Sequence, residues 1–262
     1  MFEVRSRRAR VALQIVATLL VIPFLIPLIA MVQGSFKGRG WDNYATVLAL
    51  PEVPLFFLNS AIISACTIAL VYVCTVLASF GFSKLRVRGK EFFFWAILVC
   101  LTLPEVVLVA PLFSTAVALG LFDTYWSVIL PLAALQMPFT ILLARNFVDG
   151  IPNELFDAAK VDGASTWSAF WHIILPLTRP ISAAIVVLTF VNAWNAYLLP
   201  LIFLQGPEKQ TVTLLPQYFI SQFTNDQTRV LASAVIIAFP VIIAYLLLQR
   251  LFERGLAAGA LK

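Results

Sequence analysis

The chain has 262 residues, of which 61% are hydrophobic and 12% charged, with a mean hydropathy of +0.94. A soluble domain carries roughly 25% charged residues, so this composition excludes one and describes an integral membrane protein. The net charge of +5 sits on basic clusters beside apolar runs with no fold signature for nucleic-acid binding, which argues against such a partner.

Six apolar stretches are long enough to cross ~30 Å of hydrocarbon as helices, near 11–32, 56–82, 92–119, 125–147, 179–204 and 230–250. The first is about twenty residues long without a small-residue cleavage site, so it reads as a retained membrane helix and not a removable signal. Pro23, Pro27, Pro104, Pro111, Pro131, Pro138 and Pro240 fall within the spans. Membrane helices tolerate proline where neighbours satisfy the freed backbone, and kinked helices around a cavity are the expectation. Cys66, Cys74 and Cys100 lie inside spans without metal-ligand spacing and read as small buried hydrophobes, with no disulfide and no metal site expected.

Basic residues set the orientation. Fourteen of the eighteen Lys and Arg fall at the N-terminus, in the loop after the second span, around 145–179 and at the C-terminus. Lys37, Arg39, Lys209 and Arg229 remain for the other side. The positive-inside rule then predicts a multi-pass protein of the cell membrane, surrounded by lipid, with both termini and the loop at 148–178 in the cytoplasm.

That loop is a polar island. Gly150 ends the preceding helix, Pro152 suits a first helical turn, and Glu154 and Asp157 place negative charge at a helix's positive end. A short helix from about Pro152 to Val161 is predicted. On it Leu155, Ala158, Ala159 and Asp162 share one face, an apolar anchor beside two residues small enough for close approach. Gly163 permits a sharp turn, Ser165 or Thr166 can cap a second short helix, and Pro176 is expected to stop it. An amphipathic loop on the membrane surface and a docking face for a partner are both consistent with this pattern.

The spacing decides between them. Asp157-Ala158-Ala159, three intervening residues to Gly163, then nine to Ile173-Ile174-Leu175-Pro176 resembles the "EAA" coupling loop of ATP-binding cassette importer permeases. The family usually has Glu where this chain has Asp157, which keeps the charge and shortens its reach. The stretches Leu119–Tyr125, Ala193–Pro200 and Gly255–Lys262 look like the maltose-type carbohydrate permeases, specifically the shorter six-helix partner of a permease pair. The resemblance implies an all-α type I importer fold over 1–262 as one transmembrane domain. It implies a second permease chain, two cytoplasmic ATPase subunits and an external solute-binding protein. ATP and magnesium would be held by the ATPase subunits, with no cofactor on this chain, and the tail Gly255–Lys262 would be a secondary ATPase contact.

The chain contains no G-x-x-x-x-G-K-[ST] segment of its own, and its single histidine, His172, has no catalytic arrangement around it. It is therefore read as a transport subunit and not an enzyme. Polar residues inside the spans are the substrate-path candidates. Glu105 reads either as a cavity wall or gate, or as a snorkelling residue at a kinked helix end. Asn192, Trp194, Asn195 and Tyr197 read either as a sugar-binding wall, amides for hydroxyls and indole for the ring face, or as interhelical packing. Gln136 and Asn59 are weaker candidates. The alternative class, an ion-coupled secondary transporter, would need repeated intramembrane carboxylates or histidines, and these are sparse.

Overall fold

The computed structural model describes residues 7–220 and 226–260, with side chains described from 9 to 247 outside that gap and at Gln249. Its elements are all helical: α1 (Arg7–Ser35), α2 (Trp41–Leu48), α3 (Val53–Lys84), α4 (Lys90–Val99), α5 (Glu105–Ala118), α6 (Trp126–Asp149), α7 (Glu154–Val161), α8 (Thr166–Ala169), α9 (Leu175–Leu177), α10 (Arg179–Trp194), α11 (Leu198–Phe203) and α12 (Gln227–Ala260). A π turn, Phe170–Ile174, joins α8 to α9.

Among the described residues, four helices are long and apolar enough to cross a membrane: Ala9–Ser35, Val53–Lys84, Trp126–Asp149 and Gln227–Leu247. They correspond to the first, second, fourth and sixth expected spans. The third is not one rod. Lys90–Thr102 and Glu105–Ala118 meet at 106°, because Pro104 brings no amide hydrogen and drives the preceding Leu103 out of the helical region, to ψ 116°. The fifth also differs from a single helix over 179–204. Its apolar length comes from Thr166–Leu177 and Arg179–Trp194, bent by 72°, and it ends at a break over Asn195–Tyr197 before α11.

That second break follows from Pro200, which has no N–H to offer the Ala196 carbonyl four residues back. The orphaned oxygen is satisfied from elsewhere, by the Thr213 hydroxyl at 2.8 Å. The remaining prolines, Pro23, Pro27, Pro111, Pro131, Pro138 and Pro240, lie inside helices that continue past them. Proline alone therefore does not place the kinks.

The described residues form two compact units, one drawn from residues 1–53 and 215–239 and the other from residues 54–214 and 240–262. In the first, the Asn43 amide donates to the carbonyls of Ser35 and Lys37, both at 2.9 Å, and so closes the turn between α1 and α2. The apolar window of α1 has none of its residues buried. A helix apolar all round suits a lipid or protein-packed surrounding.

The second unit has a three-tier core along α3 and α6. Ile63 meets Val128, Ile129 and Leu132 in the first tier, together with Leu199 and Phe203. Val71 meets Ala133, Ala144, Ile181, Ala184 and Ile185 in the second, where the alanines allow close helix approach. Val76 and Phe80 meet Val148, Ile151, Phe156, Phe170 and Ile174 in the third. A hydrogen bond of 2.7 Å between the buried Thr75 and Thr140 hydroxyls joins the same two helices. Cys66 and Cys74 are half-buried and Cys100 is exposed, so Cys100 departs from the buried hydrophobe expected there.

Candidate functional site

The polar island folds as helix, turn, helix. α6 closes on Gly150, and α7 starts at Glu154, two residues later than predicted, with Glu154 and Asp157 in its first turn. Asn153 takes the cap position, and the Lys84 ammonium binds its side-chain oxygen at 3.0 Å and the Ile151 carbonyl at 2.7 Å, tying the start of the loop to the end of α3.

The proposed docking face is available. Leu155 is 44% exposed, Ala158, Asp157 and Asp162 are exposed, and Ala159 is half-buried. What holds the helix in place is Phe156, about 100° round from Leu155: it is 9% exposed and inserts into the third core tier beside Phe80, Phe170 and Ile174. Asp157 pairs with Lys160 at 3.1 Å within the helix, a solvent-exposed contact of the kind that adds little stability.

Gly163 turns the chain at φ +79°, with nothing within 4 Å of where a Cβ would stand. The limit at this position is therefore backbone conformation and not space. A left-handed residue with a Cβ costs about 1–2 kcal/mol, so Gly163→Leu is expected to reduce the native turn population roughly tenfold. Loss of coupled transport with normal membrane insertion is the expected result. Wild-type transport by the variant would refute the turn's importance.

Ser165 caps α8, its hydroxyl accepting from the Ser168 amide at 3.1 Å. Pro176 does not stop this helix as expected. The chain stays helical through Leu177 and bends at Thr178, the π turn just before Pro176 accommodating a position that brings no amide hydrogen. His172 is exposed, with Nδ1 at 2.9 Å from the Ser168 carbonyl.

The two helix breaks bring four of the substrate-path candidates together. Glu105, Asn192, Asn195 and Tyr197 line a cavity of about 430 Å³ with Leu132, Val191, Ala196 and Leu198. Glu105 opens α5, where its carboxylate suits the helix's positive end. Asn195 spends one amide hydrogen on the Val191 carbonyl at 2.9 Å. Gln136 lines an adjoining cavity of about 400 Å³, with Val191 and Asn192 in the shared wall and Tyr245 opposite.

Trp194 does not join them. It is 5% exposed and packs between Phe57 and Phe190, with ring centroids 5.9 and 5.5 Å away. A sugar-stacking wall at Trp194 is therefore corrected to a core contact. Asn59 is also structural: its buried amide donates to the carbonyls of Glu208 and Gln210 at 2.9 and 2.8 Å and accepts from the Tyr125 hydroxyl at 2.7 Å.

Asp123 was not among the sequence candidates. At φ 53°, a conformation that Asp tolerates better than most residues, it accepts from the amides of Gln205 and Gly206 at 2.9 and 3.0 Å and from the Lys209 ammonium at 2.8 Å. The bond from Lys209, then that from the Gly206 amide, holds its carboxyl below the ordinary 3.8, and Asp123 in turn raises Lys209 above 10.5. Asp123 therefore adds stability that is complete above pH 3.8 and lost as pH falls through its depressed value. The Lys209 contribution is complete below 10.5 and lost as pH rises through its raised value. Once the intrinsic pH dependence of exchange is divided out, protection of the Gln205 and Gly206 amides is expected to fall on acidification, and Asp123→Asn should flatten that dependence. An unchanged profile in the variant would assign the acid response elsewhere.

A polytopic helical bundle with a polar cavity at its helix breaks and a two-helix loop left exposed is the architecture of a membrane permease. Residues 71–258 match the binding-protein-dependent transport system inner membrane components, and the chain belongs to that family. The probable ABC transporter permease protein YurM of Bacillus subtilis is 33% identical, over 93% of this chain and 86% of its own. The lactose transport system permease protein LacG of Rhizobium radiobacter is 32% identical, over 93% and 92%. In fold, the chain matches a bacterial ABC transporter involved in the import of the acidic polysaccharide alginate, with a TM-score of 0.79 and 23% identity over 95% of this chain and 99% of that one. The fold is that of a type I importer permease.

Proposed function

We propose that this chain is one permease subunit of an ATP-driven carbohydrate importer, forming the pathway for a sugar or related polyol with a second, different permease chain. The observation that carries the reading is α7, a short helix seated on the body by Phe156 with Leu155, Ala158 and Asp162 facing outward. The lactose and arabinooligosaccharide permeases among the relatives support the carbohydrate assignment. Two ATPase subunits would hold ATP and magnesium and receive α7 on the cytoplasmic side, and an external solute-binding protein would deliver the substrate. Closure of the ATPase pair would move α7 as a rigid body and bias the spans between inward-facing and outward-facing states, a two-state element acted on from a distance.

The cavity at Glu105, Asn192, Asn195 and Tyr197 is the proposed path wall, since amides and a carboxylate match hydroxyl-rich solutes. The tail Gly255–Lys262 lies outside the residues whose side chains are described, and its ATPase contact stays a part of this proposal. The test is ATP hydrolysis by the complex that co-purifies with this chain, in lipid, against a panel of sugar-loaded binding proteins. Stimulation by one loaded binding protein is the expected result. Absence of any co-purifying ATPase would overturn the reading.

A further inference from the structure

The cavity at the helix breaks and the one adjoining it hold a charge that nothing in their walls balances. Among the described residues lining either cavity, Glu105 is the one charged side chain. It is exposed, and it takes part in none of the ion pairs among the described residues. The other polar groups are neutral, the amides of Asn192, Asn195 and Gln136 and the phenols of Tyr197 and Tyr245. Glu105 lies in the first turn of α5, and a helix N-terminus is worth roughly half a positive charge. About half of the carboxylate's charge is therefore left to act on whatever occupies the cavity.

A carboxylate is costly to keep at this position. Glu105 stands at the 106° bend between Lys90–Thr102 and Glu105–Ala118, which together are long and apolar enough to cross a membrane. An ionisable side chain within a span faces the bundle interior or a water-filled passage, and side chains of one sign lining a passage select by charge. We propose that Glu105 makes this passage a charge filter, which admits neutral and cationic hydroxyl-rich solutes and rejects anionic ones such as sugar acids and sugar phosphates. The side chains of Asn192 and Gln136 have no hydrogen-bond partner among the described residues, and an amide offers both donor and acceptor to a hydroxyl. The amides thus serve a neutral sugar and its acid alike, and discrimination between the two falls to Glu105. This inference rests on the reading of the cavity as the path wall.

The test uses the complex carrying this chain, in lipid nanodiscs, with Cys66→Ser, Cys74→Ser and Cys100→Ser removing the native thiols. Asn192→Cys is the reporter, in the wall shared by the two cavities. The probes are a cationic and an anionic methanethiosulfonate, each rate divided by that with a free thiol in solution. A nearby carboxylate suppresses thiol ionisation equally for both probes, so the ratio of their rates reports the field in the cavity. The cationic probe is expected to react about tenfold faster, the scale for opposite charges within a few ångström of a partly screened carboxylate. Glu105→Gln should bring the two rates within about twofold of each other, and Glu105→Asp should keep the preference. A preference unchanged in Glu105→Gln would place the field elsewhere and overturn the filter. Loss of the preference in Glu105→Asp as well would make the effect one of packing, which also overturns it. Failure of both probes to reach Asn192→Cys, with and without ATP, would refute the path wall itself.

Discussion

Phe156→Ala is expected to uncouple the complex. The ring is 9% exposed, fills the core tier formed by Val76, Phe80, Val148, Phe170 and Ile174, and has the Lys84 ammonium 5.4 Å from its centroid. Truncating a buried phenylalanine costs about 3–5 kcal/mol. A helix of eight residues has no independent stability to offset that. The loss should fall on the seating of α7 and leave the spans intact, because Phe156 is the residue of α7 that is buried. Membrane insertion near wild type, with binding-protein-stimulated ATP hydrolysis reduced by more than tenfold, is the expected pair of readings. Stimulation within a factor of two of wild type would mean that the docking face does not depend on this anchor.

The second large effect is expected at Trp194. Trp194→Ala removes the ring between Phe57 and Phe190 and should destabilise the bundle by about 3–5 kcal/mol. The measurement is the thermal unfolding midpoint of the detergent-solubilised chain, with Trp194→Phe as the companion variant. A large drop for Ala and a small one for Phe fits packing. An unchanged midpoint in Trp194→Ala, with substrate-stimulated transport abolished, would return the indole to the path wall.

Trp194 also illustrates what could be read from the sequence. Asn192, Trp194 and Asn195 sit within four positions and look like one polar patch, yet at 3.6 residues per turn Trp194 lies about 200° round the helix from Asn192, and Asn195 within about 60° of it. Angular bookkeeping would have separated the ring from the amides. Phe156 was legible as the one large aromatic residue of the short helix, about 100° round from Leu155, but attention to the outward face passed over it. The four uninterrupted spans followed from length and hydropathy. The breaks did not follow from proline alone, since Pro131 and Pro138 ride inside α6 while Pro104 ends a helix. Asp123 had no local signal, because its partners Gln205, Gly206 and Lys209 are more than eighty residues away.

Asn59 and Asp123 together limit how the protein can move. Asn59 fastens the segment at 208–210 to α3 and, through Tyr125, to the start of α6, while Asp123 fastens 205–209 to the turn before α6. The Ser60 hydroxyl adds a bond to the Val212 amide at 2.9 Å. Tethered in this way, the segment is expected to move with α3 and the start of α6. A change of shape at the cavity is then expected at the two helix interruptions beside it, Leu103–Pro104 next to Glu105 and Asn195–Tyr197 at the end of α10. Asn195, Ala196 and Tyr197 thus both interrupt a helix and line the cavity, and Glu105 lines it one residue past the other interruption.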